Sequence, residues 1–377
     1  MRTLIVSDLH LGSVSGTDLL RRVELRAALL EAVTDVDRVV LLGDVLELRH
    51  GPMREVMLAS RPFFEDLGRA LAGRELVLVS GNHDHALVEP WLARRGSEHE
   101  PPALAVEQLL EPAEVSPALE RIADWAAPAR VRVAYPGLWV RPDVYATHGH
   151  YLDCHLTVPT LERLSLGAMT RLLGRPASTF DCVEDYEATV APVFAWRDAV
   201  ARDAHTGAAL NGAATVSAWR ALRGEAGRHS RGYTRVLRRL RGAAIAGSFP
   251  LAIAALNRAG VGPLRADISM SELRRAGLSA MGEVAARLDL GDAYVVFGHT
   301  HRAGPLPSDE QHEWRGREGA RLVNTGSWTY SEIFLTAKPG ESPYWPGVCV
   351  LVDDDGPPEI KRLLQDYAHA QIASPMV

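Results

Sequence analysis

Thr3-Leu-Ile-Val-Ser-Asp-Leu-His-Leu-Gly12 joins a short apolar run to two side chains able to bind a metal, Asp8 and His10. Thr3 to Val6 reads as a strand, and if extended geometry persists beyond it both polar side chains leave on the same side. Comparable runs follow at Arg38 to Leu42 and Leu76 to Val79, with helical stretches at Leu19 to Val33 and Phe63 to Ala72 between them. Such alternation predicts an α/β sheet protein. Further strands are expected at Arg130 to Ala134, Val144 to Thr147, Tyr294 to Phe297, Arg321 to Asn324 and Val348 to Val352.

Polar blocks begin where these strands end. Gly43-Asp44 follows the second, Gly81-Asn82-His83-Asp84 the third, Thr147-His148-Gly149-His150 a later one, and Gly298-His299-Thr300-His301 another. Loops beyond the carboxyl ends of strands are where α/β sheets bind ligands, so five of them can converge on one site. The glycines allow the backbone to turn sharply and bring a neighbouring side chain close to an ion. Carboxylate, imidazole and amide oxygen together suit borderline divalent ions such as Mn²⁺, Fe²⁺, Zn²⁺, Co²⁺ or Ni²⁺.

The rest of the chain sets the frame. Its 377 residues, 47% hydrophobic, suffice for a large core, and a formal charge of −6 gives no overall pull toward nucleic acid or anionic membrane. Cys154, Cys182 and Cys349 lie far apart, which points to reduced core thiols and not to a zinc knuckle or disulfide framework. The N-terminus reaches Asp8 too soon for a secretory signal, so a cytoplasmic protein is expected. The longest apolar run, Ala243 to Leu256, is short of the roughly 20 residues of a membrane span and is interrupted by Gly247, Ser248 and Pro250.

No strand pattern recurs from Asp153 to about Leu290; the segment reads as Ala/Arg-rich helices. The expected organisation is therefore a core of residues 1–152 and 291–377 with a helical insertion or cap at 153–290. Pro90 to Pro128 is expected to add helices and loops near the mouth of the site. Arg228 to Arg241 reads as a basic amphipathic helix: either a cap helix with solvated arginines, or a surface for an anionic substrate or lipid headgroups and hence a peripheral membrane contact. The arginines lack interleaved aromatics, which argues against a nucleic-acid track.

These five blocks, in this order, resemble the calcineurin-like metallophosphoesterase family. The resemblance covers about the first 150 residues and the last 85 of the chain. It implies a four-layer fold, a double β-sheet sandwich flanked by helices, with two divalent metals, Mn²⁺ foremost, at one end. It also implies that Asp8, His10 and His301 hold one metal, that Asn82, His148 and His299 hold the second, and that Asp44 bridges both. Two metals roughly 3.5–4 Å apart can share a hydroxide, lower its pKa and stabilise charge on a phosphoryl group. His83 is then the candidate general acid, with Asp84 to orient its imidazole or hold it protonated.

The expected function is hydrolysis of a phosphomonoester, phosphodiester or pyrophosphate in a phosphorylated small-molecule or lipid-linked substrate. Ser7-Asp-Leu-His-Leu-Gly12 and the helical insertion also resemble the branch that cleaves the pyrophosphate of UDP-diacylglucosamine. The sequence departs from that branch at His83, where arginine is usual, and at His150, where aspartate is usual. A nuclease and a membrane-surface adaptor rank below these. His150 and Asp153 could fix His148 or cap a helix, Glu47 could hydrogen-bond at the rim, and Asn324-Thr-Gly-Ser327-Trp is read as the supporting back wall.

Overall fold

The computed structural model describes residues 1–49, 51–202, 249–332, 335 and 339–373. Its framework is a ten-stranded mixed sheet: β1 (Thr3–Val6), β2 (Arg38–Leu42), β3 (Glu75–Val79), β4 (Glu107–Leu110), β5 (Arg130–Arg141), β6 (Val144–Thr147), β7 (Tyr294–Phe297), β8 (Arg321–Asn324), β9 (Val348–Val352) and β10 (Glu359–Arg362). The strand order is β10-β9-β1-β2-β3-β5-β6-β7-β8, with β4 paired to β5. β1, β2, β3 and β5 are parallel, as are β6, β7 and β8, while β5 meets β6 antiparallel.

Alternation of side chains along the strands turns this sheet into four layers. Ile5, Val40, Val77, Ala134, Val144, Val296, Val323 and Val350 share one buried cluster between the two halves of the curled sheet. Their neighbours face outward. Leu4, Val39, Leu41, Leu76 and Val133 join the cores of α1 (Val23–Val33), α2 (Met53–Ala70) and, beyond α3 (Glu89–Gly96) and α4 (Pro112–Val115), α5 (Pro117–Trp125). Tyr145, Val295, Phe297 and Leu322 pack instead with α6 (Leu161–Leu173), α7 (Val183–Arg202) and α8 (Met270–Arg287). The expected sandwich with helical flanks is present, built from one continuous sheet.

β5 makes this possible because it is long enough to serve both halves. β3 pairs with it up to Val79↔Ala134, and β6 ends against it at Thr147↔Gly137. Two sets of strands thus approach the middle of β5 from opposite directions, and the loops at their carboxyl ends meet there. Gly137 sits at that point because a Cβ would run into the Ala146 carbonyl and the Tyr145 ring.

The described residues from Asp153 to Leu290 hold helices and no strand. Pro90 to Pro128 differs from expectation: besides helices it supplies β4, antiparallel to β5. α2 begins at Met53, ten residues before the apolar pair Phe63-Phe64 that signals it, and carries Pro62 on its exposed face. Cys154 and Cys349 are buried and Cys182 half-buried, none in a disulfide. Among the described residues no helix is long and apolar enough to cross a membrane. The basic stretch Arg228 to Arg241 lies outside the described residues.

Gly68 of α2 tests the packing of the helical layer. A Cβ there would strike the Ala126 carbonyl at the end of α5. Gly68→Ala gains about 1 kcal/mol of helix propensity but must push the two helices apart. A net loss of about 1–3 kcal/mol is expected, read as a lower denaturant midpoint; a higher midpoint would show that the helices separate freely.

Candidate metal centre

The loops after β1 and β2 are zipped together by backbone hydrogen bonds from Asp8 N to the Gly43 carbonyl (3.1 Å), His10 N to the Asp44 carbonyl (2.9 Å) and Leu11 N to the Val45 carbonyl (2.9 Å). Gly298 N donates to the His148 carbonyl (3.0 Å), and Trp328 N to the Asp8 carbonyl (3.1 Å), tying in the loops after β6, β7 and β8. Asp8, His10, Asp44, His299 and His301 have φ of 56°, 45°, 50°, 65° and 58°. Left-handed backbone is costly for residues other than glycine and concentrates at functional sites, where the surrounding structure enforces it. Here it turns five side chains inward at the strand ends.

Two groups of donor atoms result. His301 Nε2 lies 3.1 Å from Asp8 Oδ1 and 3.2 Å from His10 Nε2. Asn82 Oδ1 lies 3.1 Å from both His148 Nε2 and His299 Nδ1. Asp44 Oδ2 stands between the groups, 3.7 Å from His10 Nε2 and 3.3 Å from His148 Nε2. All seven residues expected as ligands are thus brought close to one another.

The partners of these groups revise the expectation for His83. Its Nδ1 bonds to Glu47, 2.9 Å from either carboxylate oxygen, and the same carboxylate holds His10 Nδ1 at 2.8 Å. Asp84 is turned away: its carboxylate accepts from the backbone N–H groups of Gly81 (2.6 Å), Val45 (2.7 Å) and Leu46 (3.2 Å). Asp84 therefore pins the loops after β2 and β3 to each other and does not orient the imidazole. Asp153 Oδ2 bonds to His299 Nε2 at 2.9 Å, so it fixes His299 and not His148, whose Nδ1 donates to the Leu42 carbonyl at 3.0 Å. His150 is buried against the His148 ring with neither nitrogen bonded. Asn324 supports the last loop by donating to the Gly298 carbonyl (2.8 Å) and Thr300 Oγ1 (3.0 Å), in keeping with the back-wall reading.

Electrostatics follow from this crowding. Burial pushes the His10 imidazole down, but the bond and charge of Glu47, with Asp44 and Asp8 beyond, lift its pKa to about 9. Burial also opposes the charged form of His148, and Asp44 and Asp8 override it to about 9. His83 goes the other way: burial, helped by the Arg49 charge, brings it to about 4 despite Glu47 and Asp44. Burial and the Asp44 charge raise Asp84 to about 6. Glu47, although buried, is held well below the usual carboxylate range by His83 and His10.

The donor set fits a pair of divalent ions. Separations of 3–4 Å between ligand atoms suit nitrogen and oxygen donors about 2.0–2.2 Å from a shared ion. Asp8 Oδ1 is buried, with His301 Nε2 3.1 Å away. With His148 Nδ1 donating to Leu42 and His299 Nε2 bonded to Asp153, each ring, once its other nitrogen has lost its proton, turns a lone pair toward the Asn82 oxygen. Acceptors meeting in this way require a cation or a proton between them. Turned over, the Asn82 amide nitrogen would share its two N–H groups among His148 Nε2 (3.1 Å), His299 Nδ1 (3.1 Å) and Asp44 Oδ2 (3.3 Å), and its oxygen would accept from Arg49 Nη1 at 3.0 Å. The first orientation suits a metal-bearing cluster, the second a metal-free one.

A cleft of about 360 Å³ opens beside Asp44, Asn82, His83, His299 and His301. Sheet, loop donors and cleft define a metal-dependent phosphoesterase architecture. The family model for calcineurin-like phosphoesterases matches residues 1–185, and this part of the chain belongs to that family. The match ends before Gly298-His299-Thr300-His301, which the fold nevertheless returns to the cluster. No curated protein matches the chain. Membership indicates metal-dependent hydrolysis of phosphoester bonds.

Glu47 is the residue whose role the sequence leaves undecided. Its only signal is the spacing Gly43-Asp44-x-x-Glu47 at a strand end. Arg49, buried beside Asn82 with Nε and Nη2 lacking a hydrogen-bond partner among the described residues, carries no sequence signal at all.

Two outcomes are expected. Gly81 has ordinary backbone geometry, but a Cβ there would press on Asp44 Oδ1 and the His148 ring. Gly81→Ala should weaken metal binding about 10–100-fold with the far-UV spectrum unchanged; full metal retention would show that the ring can give way. For proton linkage, His10 and His148 bind protons more tightly in the metal-free fold than at their ordinary value of 6.5. Their contribution to the metal-free protein is complete below pH 6.5 and lost as pH rises through about 9. Metal must displace those protons, so its affinity should instead rise over that interval. Thermal midpoints with and without chelator from pH 6 to about 9.5 check both signs, and parallel curves would contradict them.

Proposed function

We propose that the chain hydrolyses phosphoesters with two divalent ions, Mn²⁺ foremost, held by Asp8, His10 and His301 on one side and Asn82, His148 and His299 on the other. The observation that carries this reading is the position of Asp44, one carboxylate oxygen within 3.7 Å of His10 and 3.3 Å of His148. Bound there, such ions would supply Lewis acidity to polarise a phosphoryl group and acidify water.

The chain's own residues do the remaining work. Glu47 and Asp153 set the tilt of His10 and His299, so the donor atoms are placed before substrate arrives. Asp84 locks the two loops that carry Asp44 and Asn82. His83 lines the cleft with Nδ1 taken by Glu47, which leaves Nε2 for the substrate. In the open cleft its low pKa keeps it neutral near pH 7. A phosphoryl anion beside it favours the imidazolium, the form that can protonate a leaving oxygen.

The test is turnover of bis-p-nitrophenyl phosphate and p-nitrophenyl phosphate by metal-stripped, Mn²⁺-reconstituted protein. His83→Ala should lower turnover about 10²–10⁴-fold while leaving metal content near that of the parent. Asp44→Asn should reduce both. Undiminished turnover in purified Asp44→Asn would refute the linking role of this carboxylate.

A further inference from the structure

The cleft beside the metal centre is walled by Leu152, Leu156, Leu273, Leu278, Phe297 and Trp314. Its volume of about 360 Å³ lies at the small end of ligand sites, roughly 300–1,000 Å³. That is room for one ring or one chain, and far too little for a duplex or a folded partner.

The charged side chains lining it beyond the ligand cluster are already paired. Arg274 Nη2 lies 2.8 Å from Glu313 Oε2. Arg302 Nη1 bonds to Asp309 Oδ2 at 3.0 Å, and its guanidinium stands 5.4 Å from the centre of the Trp314 ring. Glu162 Oε1 takes Arg197 Nη1 at 2.7 Å. Among the described residues lining this cleft, a second phosphate would have to break one of these pairs to find a counter-charge, because phosphate recognition rests on charge-assisted donors. A hydrocarbon group would lie against the apolar walls and leave these pairs intact.

We infer that the substrate carries a single phosphorus, esterified to an uncharged apolar alcohol or phenol whose chain or ring lies along Leu273, Leu278, Phe297 and Trp314; this rests on the phosphoesterase reading above. Water's oxygen bonds to phosphorus, the bond from phosphorus to the apolar oxygen breaks, and that oxygen takes up a proton to leave as the alcohol. The site thereby distinguishes such esters from nucleoside diphosphates and their sugar conjugates.

The experiment uses the Mn²⁺-loaded full chain with methyl p-nitrophenyl phosphate as substrate and methyl-, butyl- and octylphosphonate and ADP as competitors. The phosphonate head is constant, so inhibition constants report the chain alone. They should fall about fourfold per added methylene until the cleft is filled, with ADP a weaker inhibitor than octylphosphonate. Leu273, half-buried at the cleft, supplies the control: Leu273→Glu should flatten the chain-length gradient, and Leu273→Ala, the gentler change, should reduce it. If the ester is turned over but inhibition is flat with chain length, or ADP is the better inhibitor, the inference is overturned. If the ester is not cleaved and calorimetric titration shows the alkylphosphonates still binding with a chain-length gradient, the apolar cleft stands and the hydrolytic reading fails.

Discussion

Strand β5 belongs to both halves of the sheet, and the convergence of the site depends on that double membership. Parallel strands place their carboxyl ends along one edge, which alone would bring Asp8, Asp44 and Asn82 together but leave the histidines behind. Because β6 turns back on the second half of β5, its own carboxyl end returns to the middle of that strand. His148 and, one strand further on, His299 and His301 then arrive from the opposite direction. The glycine at position 137 is the local condition for this close approach.

Once the loops meet, their hydrogen bonds dictate which groups carry protons. Glu47 serves two imidazoles and leaves them in different states: His10, ringed by carboxylates, holds its proton, while His83, nearer Arg49, gives it up. One carboxylate thus holds a charged imidazole and a neutral one side by side. Asp84 shows the opposite use of an acid. Satisfied by three backbone donors, it has become part of the scaffold.

Much of this was legible in the sequence where a strand and a polar block coincide. Val39-Val40-Leu41-Leu42 followed by Gly43-Asp44 announces both a buried strand and a side chain at its end, because apolar runs and glycine turns are local signals. β4 and β10 were not legible, since Glu107-Gln-Leu-Leu110 and Glu359-Ile-Lys-Arg362 mix polar and apolar residues as edge strands do. The start of α2 was hidden by Pro62, a breaker in most contexts. The expectation that Asp84 orients His83 failed for a different reason. Adjacency in sequence says little about direction, and a carboxylate next to an imidazole can point into the loop while one 36 residues away closes the contact.

The donor atoms of one cluster come from residues 8 to 301, nearly the whole span of the polypeptide. During synthesis, a nascent chain that has already released Asp8, His10, Asp44, Asn82 and His148 must wait for more than a hundred further residues before His299 and His301 emerge, on the order of ten seconds or more at ribosomal speeds. Throughout that interval the early loops offer carboxylates and imidazoles without their last partners. A cluster built this way can close only after His299 and His301 have emerged, late in synthesis.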